Sequence, residues 1–251
     1  MNEFKNIANR YVESIRYEKV VEISEVEIAQ TTIYRIISKI TPPPRLSFIA
    51  GDCIHNLRSI LDNMVFRIGF VAKCSQAILD GIHFPVCKEP EHFPSEKGKL
   101  KGIPIPAIDL IESFQQYNPY KGQTDSSHPL RILHDMWNID KHRSPAIILS
   151  YQAGTAIQSK KPHLAINYER GRIKTSDVGF ITLHSGIIGT NKEFIFATHP
   201  LGETKDFRIE PLFNICFDQE GPAGREPAPW LLSEMHLFVN HVLPLFKPFL
   251  R

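Results

Sequence analysis

Long apolar runs are missing from this chain. None of its 251 residues belongs to a stretch approaching the roughly 18 apolar residues of a membrane span, so no membrane partner is expected. Cysteine is sparse, and Cys53, Cys74, Cys87 and Cys216 never fall in CxxC spacing. That pattern points to free thiols in a reducing compartment. Excess charge of one sign is missing too. The 29 Lys and Arg against 27 Asp and Glu leave +2, and with a pI near 8.3 this is too mild a field for duplex DNA. The basic clusters Lys97, Lys99, Lys101 and Arg170, Arg172, Lys174 read as solvated faces. There is no GxxxxGK[ST] or GxGxxG phosphate loop and no HExxH pair. The first residues, MNEFKNIANRYVESIRYEK, mix charge throughout and lack the apolar core of a signal peptide, so the expected compartment is the cytoplasm.

What is present suits a folded protein, since 42% hydrophobic and 22% charged residues are ordinary globular values. Asn2 to Ile15 keeps a helical period. Tyr17–Ile23 and Thr31–Ile40 are β-favouring and read as a hairpin, although their Glu content leaves helix open. Pro42, Pro43 and Pro44 hand the chain to Arg45–Phe70, the most informative stretch. On a helix, Leu46, Ala50, Cys53, Leu57, Ile60, Leu61, Met64 and Ile68 form one apolar stripe. The opposite side reads Phe48, Asp52, His55, Ser59, Asp62 and Phe66. A polar stripe bracketed by phenylalanines predicts a central helix buried on both faces, its polar groups needing partners.

Residues 81–102 read as loop, with Ile82–Val86 as an edge strand. Helices are expected from Pro106 to about Asn118, and from Leu130 to His142 behind Pro129. From Ala146 the period becomes extended: Ala146–Tyr151, Leu164–Glu169, Phe180–His184, Glu193–Thr198 and Leu212–Phe217 are short β-favouring runs, with Gly171 as a turn residue. A closing helix carries Leu231, Met235, Phe238, Val242 and Leu245, ended or kinked by Pro244. The fold class expected is therefore α+β: a helical middle with a buried central helix, an antiparallel sheet of about five or more strands, and a C-terminal helix. The simplest organisation is one domain over 1–251, helix-rich in 1–144 and strand-rich in 145–220, with the helix at 228–246. The N-terminal pair would join the later strands.

The helix LRILHDMWNIDKH puts Leu130, Leu133, Met136 and Trp137 on its apolar side and Arg131, Asp135, Asn138 and His142 on its polar side. Arg131 and Asp135, four apart, read as a solvated ion pair. Asn138, Asp140, Lys141, His142 and Arg143 gather at the helix end, where the dipole favours cations.

GDCIHNLRSILDNMV (Gly51–Val65), followed by LHDMWNIDKHR (Leu133–Arg143), resembles a group of bacterial proteins that carry a GDxxHNLRSxLD helix and an NxDKHR helix end and have no assigned activity. The resemblance implies that the two stretches work together and points to Asp52, His55, Asn56, Arg58, Asp62, Asn138, Asp140, Lys141, His142 and Arg143. Helices with Arg and His at a seam are also similar to the HEPN class of ribonucleases. Those carry Arg followed by His after four to six intervening residues on one helix, whereas His134 follows Arg131 too soon and His142 too late.

Histidines beside carboxylates move protons near neutral pH, and arginines hold phosphates. The sharp expectation is a pocket for an anionic, phosphate-bearing ligand such as a nucleotide or RNA, cleaved without metal: His55 and His142 as acid and base, Asp62 beside them, and Arg58, Asn138, Asp140, Lys141 and Arg143 binding. One alternative is a non-enzymatic structural or protein-interaction module in which the same groups only bond one another. Another is a metal site of Asp52, His55 and Asp62 with His134 or His142. No cofactor is specified.

Overall fold

The computed structural model describes residues 2–23, 30–36, 42–122, 127–141, 147–159, 167–169, 172–175, 179–183, 186–188, 194–200, 207–217, 223–224 and 226–251. Contacts divide the chain into two compact units interleaved in sequence: residues 2–46 with 147–216, and residues 47–146 with 217–251.

The first unit holds a helix and the strands. Helix α1 (Asn2–Ser14) buries Phe4, Ala8 and Tyr11, an i, i+4, i+7 line, and its Glu3 pairs with Arg45 at the surface. Strands β1 (Tyr17–Ile23) and β2 (Gln30–Ile36) form an antiparallel pair from Tyr17 opposite Ile36 to Ile23 opposite Gln30. The later strands are β3 (Ile147–Ser159), β4 (Asn167–Glu169), β5 (Arg172–Thr175), β6 (Gly179–Leu183), β7 (Gly186–Ile188), β8 (Phe194–Pro200) and β9 (Phe207–Phe217). One sheet runs β1-β2-β8-β6-β5-β4 and a second runs β7-β3-β9. The N-terminal pair does join the later strands, β2 lying antiparallel to β8 with an irregularity after Tyr34. Gly171 and the ends of several expected strands, including 37–40 and 164–166, lie outside the described residues.

The second unit is helical. Helix α2 (Pro44–Val71) enters it at Ser47, and α3 (Gln76–Leu79), α4 (Phe93–Lys99), α5 (Ile105–Ser113), α6 (Pro129–Asp140) and α7 (Ala228–Leu245) follow. Prolines sit in the first turns of α4, α5, α6 and α7, where a missing N–H leaves no helical bond unmade. The core is lined from α2 by Ala50, Ile54, Leu57, Leu61, Met64, Val65 and Ile68. Phe238 of α7 stacks edge-on against Phe114, Tyr120 and His128, and α6 packs against α7. Two close approaches fix the chain after α2. A Cβ at Gly69 would lie 3.1 Å from Leu79, and Gly102, at φ +93°, would bring one 2.8 Å from the Cys74 sulfur.

The expected fold class is overturned. Helix dominates the described residues, with seven α-helices. The described strands of 147–217 do not supply one sheet: β3, β7 and β9 form a separate three-stranded sheet, and the larger sheet is completed by the N-terminal pair. The central helix is not buried on both faces. Phe48 is 60% and Phe66 42% exposed, and Asp52 and His55 between them are exposed as well. The bracketing phenylalanines do not enclose that stripe; Asp52 and His55 face solvent, while Asp62, half-buried, finds its partners in Arg58 and the Phe84 N–H. Ile60, expected in the core line, is also exposed, while Ile54 and Val65 are buried. Residues 90–99, expected as loop, contain a 3-10 turn and α4. Ile82–Val86 is no strand: Pro85 lacks a donor, and Phe84, Pro85 and Cys87 bond to side chains instead of a ladder.

Candidate functional site

The site is built on a buried cation. Arg58, 2% exposed, flanks the core line of α2 and donates from Nη2 to Asp62 Oδ1 (2.8 Å) and to the Phe84 carbonyl (2.6 Å). The Phe84 N–H donates to the same Asp62 oxygen at 2.9 Å. Both backbone groups of Phe84 are thus tied to one turn of α2. Gln115 completes the tether, accepting from Cys87 N–H and donating to the Pro85 carbonyl. Burial lowers the Arg58 pKa and the neighbouring Asp62 charge raises it. Breaking such a buried pair from one side costs about 3–5 kcal/mol.

Arg58 reaches α6 directly, its guanidinium carbon 5.2 Å from the centre of the Trp137 ring, and Lys141 Nζ lies 3.2 Å from that centre. The helix–helix meeting implied by the two sequence stretches is therefore present. Around it opens a cleft of about 510 Å³ lined by Arg58 of α2, His83, Phe84 and Val86 of the tethered segment, Glu96 of α4, and His134, Trp137, Asn138 and Lys141 of α6. His134, Trp137, Asn138 and Lys141 keep i, i+3, i+4, i+7 spacing and so share a face.

Arg58 Nε and Nη1, His134 Nδ1 and Trp137 Nε1 are buried and have no hydrogen-bond partner among the described residues. All four belong to residues lining the cleft. His134 Nε2 faces Asn138 Nδ2 at 3.1 Å; with that amide donating, the neutral imidazole carries its proton on Nδ1. The neutral form is favoured, because burial lowers the His134 pKa, as do Arg58, Arg131 and Lys141, while Asp135 opposes them. The unpartnered atoms are then all donors. Unpartnered donors gathered on the α2–α6 wall are electrostatically suited to an oxyanion.

The expected site residues divide. Arg58, Asn138 and Lys141 line the cleft, and Asp62 stands behind Arg58. Asp140 is half-buried and His55 is exposed, and neither lines the cleft. His142 and Arg143 lie outside the described residues. Arg131 and Asp135 do pair, but half-buried, with Arg131 also donating to Gln116, so they do not form a solvated face. Among the described residues no three His, Cys, Asp or Glu side chains gather as a metal site requires, so Asp52, His55, Asp62 and His134 are not one. Sequence reasoning missed His83, Glu96 and the role of Trp137. The α6 spacing was available as a signal for Trp137, but the line drawn through Arg131, Asp135 and Asn138 lies beside the true one.

Comparison of the chain with protein families, curated proteins and solved structures returns no match.

Proposed function

We propose that this protein binds a small phosphate-bearing anion in the cleft between α2 and α6. One observation carries the reading: among the described residues, every buried side-chain polar atom of the lining left without a partner is an N–H donor, in a wall that also holds Arg58 and Lys141. A phosphate offers terminal oxygens to several donors at once, and a guanidinium is the side chain best matched to it. In this reading Arg58 does two things. Nη2 holds the Phe84 segment, and Nε and Nη1 meet the ligand. His134, Trp137 and Asn138 orient the ligand, and Lys141, exposed at the end of α6, meets it from the solvent side. The two-stretch signature shared with the bacterial group marks this seam.

The reading stops at binding. His55, half of the expected acid–base pair, does not line the cleft, so no proton transfer is assigned to it. The cytoplasm remains the proposed compartment, supported by four cysteines, none of them in a disulfide. Among the described residues no helix is long and apolar enough to cross a membrane.

Calorimetry with inorganic phosphate and ethyl phosphate tests this function. The parent is expected to bind both, with an affinity that falls as salt rises, and Lys141→Glu, an exposed change, is expected to weaken both about tenfold or more. Equal binding by parent and variant, or none by the parent at millimolar concentration, overturns it.

A further inference from the structure

The cleft has a second pole. Its α2–α6 wall offers donors, whereas α4 contributes the carboxylate of Glu96, the one acidic side chain among the described lining residues. Glu96 Oε1 accepts from Lys99 Nζ at 2.6 Å, and Oε2 faces His83 Nε2 at 3.6 Å, beyond hydrogen-bond reach. Lys99 does not itself line the cleft, so the oxygen turned toward His83 keeps acceptor capacity there. Phe84 and Val86 contribute apolar lining to the same cleft. A carboxylate in an anion site works against affinity for a ligand that is negative throughout, because like charges at short range repel by more than a hydrated surface pair does. It favours a ligand whose other end is a cation or a strong donor.

Resting on the anion-site reading, we infer that the ligand is a small zwitterion, a phosphomonoester that also carries a primary amine, held with its phosphate toward Arg58 and Lys141 and its ammonium toward Glu96. A polyphosphate or an RNA strand is disfavoured by the same carboxylate.

Phosphoethanolamine and ethyl phosphate differ chiefly by the amine, and their comparison isolates the second pole. By calorimetry on the full chain, phosphoethanolamine is expected to bind about tenfold or more tightly than ethyl phosphate. Glu96→Gln is expected to erase that preference by weakening phosphoethanolamine. A short oligoribonucleotide is expected to bind more weakly than either. Equal binding of the two probes by the parent, a preference that survives Glu96→Gln, or tighter binding of the oligoribonucleotide overturns the zwitterion inference and leaves the anion site standing. Failure of both small phosphates to bind the parent overturns the site and this inference together. The parent comparison needs no substitution, so it decides even if Glu96→Gln does not fold.

Discussion

His128 is the N-cap of α6, its Nδ1 accepting from the Leu130 N–H at 3.2 Å, and its ring is wholly buried between Tyr120 and Phe238. An imidazole that accepts at Nδ1 must be uncharged, and burial pushes its pKa down to about 4 from 6.5. Because the folded-state pKa lies below the unfolded one, the unfolded chain binds the proton first. The stabilisation is present in full above about pH 6.5 and is lost as pH falls through the folded value near 4. At 1.36 kcal/mol per pH unit, the 2.5-unit gap gives a loss of about 3 kcal/mol by pH 4. His128→Asn keeps a capping acceptor and does not titrate, so it is the reference. Urea unfolding of both proteins between pH 7.5 and 4 is the assay. At pH 7.5 the variant is expected to be less stable, by about 1–3 kcal/mol for the lost ring packing. The gap should then shrink on acidification and close or reverse near pH 4. A gap that stays constant within about 0.5 kcal/mol across the range would refute a buried neutral His128.

Arg58→Ala removes the tether of Phe84 and leaves Asp62 half-buried without its cation, so a loss of about 3–5 kcal/mol is expected in urea unfolding; a loss below 1 kcal/mol would show the pair to be idle. Gly102→Ala must adopt a positive φ and move the Cys74 sulfur, which predicts a loss of about 1–2 kcal/mol and a lower Tm, against no change if the turn relaxes freely. His55→Ala, on the exposed face of α2, should stay within about 0.5 kcal/mol of the parent in stability and leave phosphate affinity unaltered; loss of either would return His55 to the site.

The helices were legible wherever an apolar stripe met a proline boundary. Arg45–Phe70 anticipates α2 to within a residue, and the stretch behind Pro129 anticipates α6 to within two. Strand membership was not, because short β-favouring runs carry no mark of which sheet they join; β3 and β9 look like β6 and β8 yet pair elsewhere. Phe48 and Phe66 misled for a physical reason. Apolar residues are common on protein surfaces, so a bracketing pair does not establish enclosure. Arg58 and Lys141 could be read from their stretches, but Glu96 and His83 enter the cleft through tertiary contacts between segments far apart in sequence, and nothing local in either segment marks them.

Arg58 is at once the hook for the Phe84 segment and a wall of the cleft. A side chain with two obligations couples them. A ligand held more tightly when the Phe84 segment is docked shifts the equilibrium toward the docked segment, and by reciprocity a clamped segment presents a cation already set in place. The Phe84 amide, bonded to Asp62, is therefore a built-in gauge of occupancy. Its hydrogen exchange would report a bound anion through a proton the anion never touches.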